Sequence, residues 1–457
     1  MVHTNVIAVI DFGTHQLRGL VGLKDPTGAI SIIACEMEPA AMSIRRGCVC
    51  NPEALAISVK RLLLKLENKL EGSKIKRLYV GIGGQSVKSI DGVEIEKVGT
   101  TLSADALQTL YDRCCKNRSE GMEVLQTLPP DYWVDGKLEV DPIGLPCHSL
   151  EAHYKQIVVR PSVKAHLRNI LNDRVKVEVA GFLPAPLALA SVMLRDEDKE
   201  KGCVLIDFGA GTSSFVVYEK GKMKSLRVIP LGSNLITNDL AVSFSISETE
   251  AERLKKIYAQ AEGAEEMDPN HVVRINMQGD RGEAQVKIKE IIQVAEARAV
   301  EIVENICHWI EEAVSMRQLT AGVIIAGGGA DLKGLNRMIE KRLNAHVRYA
   351  EIALPMDNAC IPTSQIISYA LALGLINQGD EECTEGLVST PEETPTPPVE
   401  TEVEKVVTVD DEEDTKVDDE EEEDPPIVEV PIEKKDKKKK TFHRLTDLVN
   451  DLFSDQY

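Results

Sequence analysis

Two strand–turn segments of nearly the same sequence, about two hundred residues apart, constrain the fold of this chain most. The first is Asp11-Phe12-Gly13-Thr14, after the apolar stretch 6–10; the second is Asp207-Phe208-Gly209-Ala210-Gly211-Thr212, after 204–206. A lone segment of this kind is usually a hairpin turn. Its near-repetition, with acid, glycine and hydroxyl residues in the same order, makes both segments candidates for one binding site.

A third glycine-rich loop, residues 326–334, follows the apolar run Gly322–Ala326 and precedes a helix that begins near Leu335. Backbone without side chains can pack flat against adenine and ribose, for which Gly327, Gly328 and Gly329 are candidates. Continuous apolar strands with helical stretches between them indicate an α/β sheet covered on both faces.

The chemistry of the first two loops suits a nucleotide bound with magnesium. Glycines let backbone N–H groups approach phosphate oxygens closely, and Thr14 and Thr212 add hydroxyl donors. Asp11 and Asp207 can hold Mg²⁺ through its water molecules, since this ion keeps most of its hydration shell. A P-loop protein is excluded, because the chain has no G-x-x-x-x-G-K-[ST] motif.

Helical periodicity predicts three long helices in the body of the chain. The first covers 52–70, the second opens at the capping residue Ser247 and runs to Ala261, and the third covers 286–316. The apolar stripe of the third helix is expected to be buried against the sheet.

Charge divides the chain into three parts, although the formal net charge is −21 overall. Residues 1–379 are nearly neutral, 380–433 hold 23 acids against two lysines, and 434–457 are basic. Such an acidic, proline-containing stretch buries too little apolar surface to fold, so 380–433 is expected to be a disordered linker.

The last segment, 434–457, places six lysines before a short amphipathic pattern. This pattern is typical of a helix that lies in a membrane interface, or of one that docks on a protein or back on the body of its own chain. The acids Asp447, Asp451 and Asp455 weaken the membrane interpretation. The expected membrane-facing residues are Phe442, Leu445, Leu448, Val449, Leu452 and Phe453.

Composition argues against several other functions. Aromatic residues are only 4% of the chain, so a base-stacking nucleic-acid partner is not expected. The ten cysteines include no C-x-x-C pair, which favours reduced thiols over disulfides or zinc. With no apolar run long enough for a transmembrane helix or a signal peptide, the protein is expected to stay on the cytosolic side.

The three loops together resemble the phosphate 1, phosphate 2 and adenosine motifs of the actin-like ATPase superfamily. Within it, the chain resembles the FtsA family of bacterial cell-division proteins over nearly all of residues 1–378. The further landmarks are Arg46-Gly47-Cys48-Val49-Cys50-Asn51, Tyr132-Trp133-Val134-Asp135-Gly136, Asp141-Pro142-Ile143-Gly144-Leu145 and Val228-Ile229-Pro230-Leu231-Gly232-Ser233-Asn234.

This resemblance implies a duplicated, two-lobed fold of the actin and ribonuclease H type. Subdomain 1A would cover 1–85 and 158–198, and the FtsA-type inserted subdomain 1C would cover 86–157. Subdomain 2A would cover 199–238 and 283–379, and subdomain 2B, where the tubulin-like protein FtsZ docks in the family, would cover 239–282. The linker 380–433 and the segment 434–457 would follow.

The implied function is that of an ATP- and Mg²⁺-binding polymer that tethers FtsZ filaments to the cytoplasmic face of the membrane at the division site. Itself, FtsZ, an anionic membrane surface and later division proteins would be its partners. By the resemblance, Glu252 and Lys255 contact the nucleoside; their i, i+3 spacing equally fits a surface ion pair.

The chain departs from the superfamily pattern at three positions. Ala185 stands where many actin-like ATPases have a glutamate that positions the attacking water, and loss of such help costs about 10²–10⁴ in rate. ATP hydrolysis is therefore expected to be slow or absent, with no catalytic residue assigned. His15 either donates to a phosphate or faces solvent. Ala210 replaces a usual glycine, which the turn tolerates if its φ is negative.

Two other functions share the nucleotide loops. A small-molecule kinase of the same fold would need a carboxylate base facing a hydroxyl substrate, and the sequence offers no convincing candidate. An actin-like adaptor for another membrane machine, such as a pilus assembly platform, is disfavoured by the segment between the first two loops and by the long tether.

Overall fold

The computed structural model describes residues 5–40, 42–277, 282–358 and 360–385. The strands are β1 Asn5–Phe12, β2 Gln16–Lys24, β3 Ile30–Pro39, β4 Ile44–Arg45, β5 Cys48–Val49, β6 Lys74–Ile75, β7 Arg77–Ile82, β8 Lys88–Thr101, β9 Glu123–Thr127, β10 Asp131–Val134, β11 Lys137–Glu139, β12 Pro146–Val159, β13 Glu178–Pro184, β14 Cys203–Phe208, β15 Ser213–Glu219, β16 Lys222–Ile229, β17 Val272–Asn276, β18 Glu283–Lys287, β19 Gly322–Ala326, β20 Val347–Tyr349, β21 Met356–Asn358 and β22 Thr384–Glu385.

The helices include a π-helical turn and four short 3-10 segments. They are α1 Pro52–Glu67, α2 Ala104–Lys116, α3 Pro161–Asn169, the π turn Ile170–Val175, α4 Ala185–Met193, α5 Asp196–Lys201, α6 Asn234–Phe244, α7 Glu248–Tyr258, α8 Ile288–Ala313, α9 Leu335–Leu343 and α10 Ala370–Gln378, with 3-10 segments Ala264–Glu266, Met316–Gln318, Gly328–Asp331 and Thr363–Tyr369.

Two sheets repeat the same central arrangement. In the first, β1, β2 and β3 form an antiparallel meander, and β7 runs parallel to β1 on its other side. In the second, β14, β15 and β16 form the meander, and β19 runs parallel to β14. The near-repeated sequence segments therefore lie at equivalent places, and the expected duplicated α/β fold is confirmed.

A smaller unit built on the long strands β8 and β12 extends the second sheet. These strands pair over almost their whole lengths, with β10 and β11 beyond β12. Its link to β16 is narrow, a single pairing of Arg227 with Lys88. Helix α2 covers one face of the unit, where Leu110 and Cys114 are fully buried.

Helices α4 and α10 cross between the two sheets, beneath the point where the meanders face each other. Helix α10 packs on β1, β2 and β7, whereas α4 contacts β7, β13 and β15. The crossing is close because residue 374 is glycine: a Cβ there would lie 1.9 Å from the Ala188 carbonyl oxygen. This pair of helices joins the lobes and fixes the floor of the space between them.

The folded body extends past the expected start of the acidic linker. Strand β22 pairs with β6, and Cys383 is 1% exposed beside β1. The Cys383 N–H donates to the Val6 carbonyl oxygen at 2.8 Å. The linker boundary expected at residue 380 is therefore wrong, and any linker begins after Glu385.

The predicted helices exist, but each is shorter than expected. Helix α1 ends at Glu67, α7 ends at Tyr258, and α8 begins at Ile288 because Val286 belongs to β18. Within the described ranges, no helix is both long and apolar enough to cross a bilayer. The expected membrane-facing residues of 442–453 lie outside those ranges.

Candidate functional site

One cleft of about 960 Å³ between the two sheets collects every residue predicted to contact a nucleotide. The loops that follow β1, β14 and β19 all line it, and those after β14 and β19 leave the same edge of the second sheet because these two strands are parallel neighbours. The predicted residues that line the cleft are Asp11, Gly13, Thr14, His15, Asp207, Gly209, Gly211, Thr212, Glu252, Lys255, Gly327, Gly328 and Gly329.

At the glycines of the first two loops a side chain would clash with neighbouring backbone, although their φ angles are ordinary. A Cβ on Gly13 would lie 2.5 Å from the Gln16 carbonyl oxygen, and one on Gly209 would lie 2.6 Å from that of Thr212. Neither glycine has a positive φ, and the φ of Ala210 is not positive either. Ala210 therefore fits the turn, which needs a residue with negative φ at this position.

The two loops approach each other across the cleft. A Cβ on Gly211 would lie 2.4 Å from the Thr14 hydroxyl oxygen. Backbone N–H groups and threonine hydroxyls from both lobes consequently share one small volume. Such an arrangement can surround an anion from two sides.

The third loop packs directly on the second. Gly327 has a φ of +85°, and a Cβ there would lie 2.3 Å from Asp207 Oδ1 and 2.5 Å from the Phe208 carbonyl oxygen. Gly328 faces open space, so the loop presents bare backbone to the cleft. This surface suits a flat ring better than it suits a charged group.

The two aspartates differ from ordinary surface carboxyls. Burial raises the pKa of Asp11 to about 6, while Arg18 acts in the opposite direction. Burial, together with the charge of Asp11, raises the pKa of Asp207 to about 7. Two desolvated carboxyls at one site are costly when both are ionised, unless a cation is present.

Arg18 supplies one such cation, which no sequence motif indicated. It lies on β2 directly opposite Asp11 in the antiparallel register, with Nη1 3.9 Å from Asp11 Oδ2. Its Nε is buried without a hydrogen-bond partner among the described residues. The equivalent residue opposite Asp207 is Ser214, so the second lobe has no cation at this strand position. Interpreting residues 13–15 as the turn of a β-hairpin would have indicated that Arg18 lies near Asp11.

Glu252 and Lys255 form an ion pair that also lines the cleft. The Lys255 ammonium lies 2.6 Å from Glu252 Oε2 and donates to the Thr237 hydroxyl at 2.9 Å. That hydroxyl donates to Glu252 at 2.6 Å. Burial would raise the pKa of Glu252, but these partners outweigh it and lower the pKa. The surface-pair and cleft-lining interpretations are thus both compatible with the geometry.

Ala185 begins α4 at the wall of the cleft, and His15 lies at its rim. Ala185 is 7% exposed and presents only a methyl group. The His15 side chain is exposed, while its carbonyl oxygen accepts a hydrogen bond from the Ala40 N–H. The acids that line the cleft, within the described part of the chain, are Asp11, Asp207, Glu252 and Asp331.

Comparison with known proteins gives one consistent family. Residues 204–374 match the family model described as "Cell division protein FtsA". The Porphyromonas gingivalis protein of that name is 30% identical over 384 residues, covering 83% of this chain and 79% of the relative. The Escherichia coli protein of that name is 24% identical over 415 residues, covering 88% of this chain and 94% of the relative.

The fold has a solved counterpart in a structure titled "PilM-PilN type IV pilus biogenesis complex". The TM-score is 0.57 with 16% sequence identity, covering 81% of this chain and 97% of that one. At this identity the likeness shows the fold alone, which is the actin-like fold.

Proposed function

Because the chain belongs to the FtsA family of cell-division proteins, we propose that it binds ATP with Mg²⁺ in the cleft and acts as an adaptor, not as a metabolic enzyme. In this function the nucleotide-bound chain self-associates and holds FtsZ filaments at the cytoplasmic face of the cell membrane. There it helps to assemble the division ring and contacts later division proteins.

The convergence of three glycine loops on one cleft is the observation that supports nucleotide binding. The first two loops face each other with backbone and hydroxyl donors, and the third presents bare backbone from Gly327 to Gly329. Phosphates fit between the donors, and the nucleoside fits against the third loop, next to Glu252 and Lys255.

The two buried aspartates fit a hydrated divalent cation. Both carboxyls are desolvated, and Arg18 balances only part of their charge when they ionise. Asp11 and Asp207 would hold Mg²⁺ through water, and the bound ion would neutralise phosphate charge. Arg18 would add a fixed positive charge from the first lobe.

Slow or absent hydrolysis is part of the proposal. Ala185 offers no group to orient or deprotonate water at the wall of the cleft. The ATP-bound state would then be long-lived, and its output would be closure of the two lobes around α4 and α10. Single-turnover phosphate release tests this step, and a rate typical of sugar kinases would contradict it.

The tether part rests on the charge pattern beyond residue 385. Six lysines precede the amphipathic stretch of 442–453, and each basic residue near an anionic surface contributes roughly 1 kcal/mol. The expected FtsZ-docking subdomain 239–282 contains α7, whose N-terminus is capped by Ser247. The acids that precede the six lysines in sequence would be repelled by anionic lipid and would hold the body away from it.

Co-sedimentation with liposomes tests the tether directly. The full chain, mixed with FtsZ filaments and Mg²⁺·ATP, is expected to carry FtsZ into the pellet with anionic liposomes. A chain ending at Glu385 is the matched control, since ending at 379 would remove the buried Cys383. If the full chain leaves FtsZ in the supernatant, the adaptor proposal is wrong.

A glycine substitution tests the cleft independently of the tail. Gly211→Ala places a methyl group 2.4 Å from the Thr14 hydroxyl and is expected to weaken ATP binding at least about tenfold, as about 1.4 kcal/mol of lost contact would. Gln108→Ala on the exposed face of α2 is the control. Calorimetric titration with Mg²⁺·ATP measures both; equal affinities would contradict the assignment.

A further inference from the structure

The outer face of α1 carries two large apolar side chains that no described residue covers. Ile57 is 53% exposed and Leu64 is 57% exposed. They are seven residues apart, which is two helical turns, so they lie on the same side of the helix. The opposite side is packed, with Leu55, Leu62 and Leu66 fully buried. Ile57 and Leu64 therefore form an apolar stripe toward solvent.

Two cations lie between these side chains. Lys60 is exposed and has no acidic partner within the described ranges. Arg61 lies 3.7 Å from Glu38 and keeps 67% of its side chain exposed. The acids of α1 are already engaged, because Glu53 pairs with Arg174 and Glu67 pairs with Lys74. The face is thus apolar and positively charged, and we name these four residues, Ile57, Lys60, Arg61 and Leu64, the α1 face.

The acidic part of the chain leaves the body beside the end of this helix. Strand β22 runs antiparallel to β6, with Glu385 opposite Lys74, so Glu385 lies beside the turn that follows α1. The first acids of this part already bind basic residues of the same lobe. Glu385 pairs with Lys76 at 3.0 Å, and Glu381 pairs with Arg77 at 2.5 Å.

One segment farther along matches the α1 face in chemistry. Residues 401–414 read Thr-Glu-Val-Glu-Lys-Val-Val-Thr-Val-Asp-Asp-Glu-Glu-Asp, with seven acids, one lysine and four valines. Valines can cover Ile57 and Leu64 while the acids pair with Lys60 and Arg61. The later acidic run 418–424 has no apolar residue to offer.

The linker length allows the contact. Helix α1 has 16 residues, which corresponds to about 24 Å. Fifteen residues, four of them prolines, lie between Glu385 and Thr401. A fully flexible chain of this length spans about 20–24 Å on average, and prolines and like charges extend it further. The segment therefore has a high effective concentration at the α1 face.

We propose that residues 401–414 dock on the α1 face of their own chain. Docking takes up about half of the linker and draws the basic C-terminal segment toward the body. Because ion pairs contribute to it, salt releases the contact. A partner that competes for the α1 face would release the tether to its full length. The inference does not require nucleotide binding.

Carbodiimide cross-linking of the full chain tests the docking, because it joins a lysine amine to a nearby carboxyl group. Lys60 is expected to cross-link to acids within 402–414 at low salt. In the variant I57S/R61E/L64S, which keeps Lys60 as the reporter, the cross-link is expected to fall about tenfold. The charge-reversal variant K116E/R118E, at the far end of α2, is the matched control and should leave it unchanged. Thermal unfolding verifies that both variants fold.

Three outcomes would overturn the proposal. One is a Lys60 cross-link that persists in I57S/R61E/L64S. Another is a Lys60 partner in 434–457 instead of 402–414. The third is a cross-link that joins light to nitrogen-15-labelled chains in a mixture, since this would make the occupant a second copy.

Discussion

At the scale of single residues, the two buried aspartates of the cleft are only partly balanced by Arg18, although the acids and the bases that line the whole cleft are equal in number. Asp11 and Asp207 are both desolvated, and Arg18 is the cation placed beside them. Their folded pKa values, about 6 and about 7, lie above the ordinary value of 3.8. The folded protein thus binds protons that the unfolded chain has already lost. This contribution to stability is complete below about pH 4 and disappears as the pH rises through 6 and 7.

The first prediction follows from that imbalance. Asp207→Asn removes a buried charge and should raise the melting temperature of the nucleotide-free protein at pH 8 by about 2–4 °C. The same substitution should weaken Mg²⁺·ATP binding, and wild-type affinity should fall between pH 8 and pH 5.5 as protons occupy the carboxyls. Calorimetry and thermal unfolding measure both. Asp173→Asn on the exposed π turn is the control. If Asp207→Asn lowered both stability and affinity, the role of Asp207 would be merely structural.

The second prediction concerns Arg18. Its Nη1 lies 3.9 Å from Asp11 Oδ2 in the cleft, and its Nε has no partner among the described residues. If phosphates bind between the first two loops, as proposed, Arg18→Gln should reduce ATP affinity by about tenfold or more. AMP affinity should change much less, because AMP lacks the β- and γ-phosphates that would lie near this charge. Competition titrations with ATP and AMP measure the ratio, and exposed Arg118→Gln is the control. Equal losses for both nucleotides would place Arg18 outside the phosphate site.

Residue identities explain why most of this site could be predicted and part could not. Asp, Gly and Thr after an apolar strand carry their chemistry in the sequence, so both loops were found. The position of Arg18 in the site depends on the pairing of β1 with β2, which brings Arg18 opposite Asp11. The raised pKa values depend on burial between two lobes that are far apart in sequence, and no local pattern records that.

At the scale of secondary-structure elements, the sequence predicts those features that depend on neighbouring residues, such as helix starts. Ser247 accepts a hydrogen bond from the Glu250 N–H at the start of α7, where its capping motif predicted a helix start. Asn51 accepts one from the Ala54 N–H at the start of α1, a cap that was not predicted. The π-helical turn Ile170–Val175 and the strand β22 carry no such signal. Each depends on contacts with other parts of the chain, as β22 depends on pairing with β6.

The third prediction belongs to the crossing of α4 and α10. Gly374→Ala puts a Cβ 1.9 Å from the Ala188 carbonyl oxygen and forces the two helices apart. Overpacking of this kind typically costs about 1–3 kcal/mol, which denaturant unfolding measures. Gly328→Ala is the control for stability, because a Cβ there meets open space. An unchanged free energy of unfolding would show that the helices can separate without loss.

At the scale of the whole molecule, the start of the acidic segment is fastened to the strand that ends at the cleft. The Cys383 N–H donates to the Val6 carbonyl oxygen at 2.8 Å, and the Val6 N–H donates to Glu382 at 2.8 Å. Tyr79 donates to Asp380 at 2.6 Å. Strand β1 runs from these contacts to Asp11, so a force applied to the chain at Glu385 would reach the strand that carries the first loop.

The fourth prediction tests that clamp. A chain ending at 379 loses β22, the buried Cys383 and the partners of Val6 and Tyr79, and it leaves polar groups of β1 and β6 without their bonds. Its free energy of unfolding should fall by about 2–4 kcal/mol relative to a chain ending at 385, which should match the full chain. Because the clamp reaches β1, the shorter chain should also bind Mg²⁺·ATP more weakly. Denaturant unfolding and calorimetry compare the three chains; if the chain ending at 379 were as stable as the one ending at 385, these six residues would be part of the tether and not of the body.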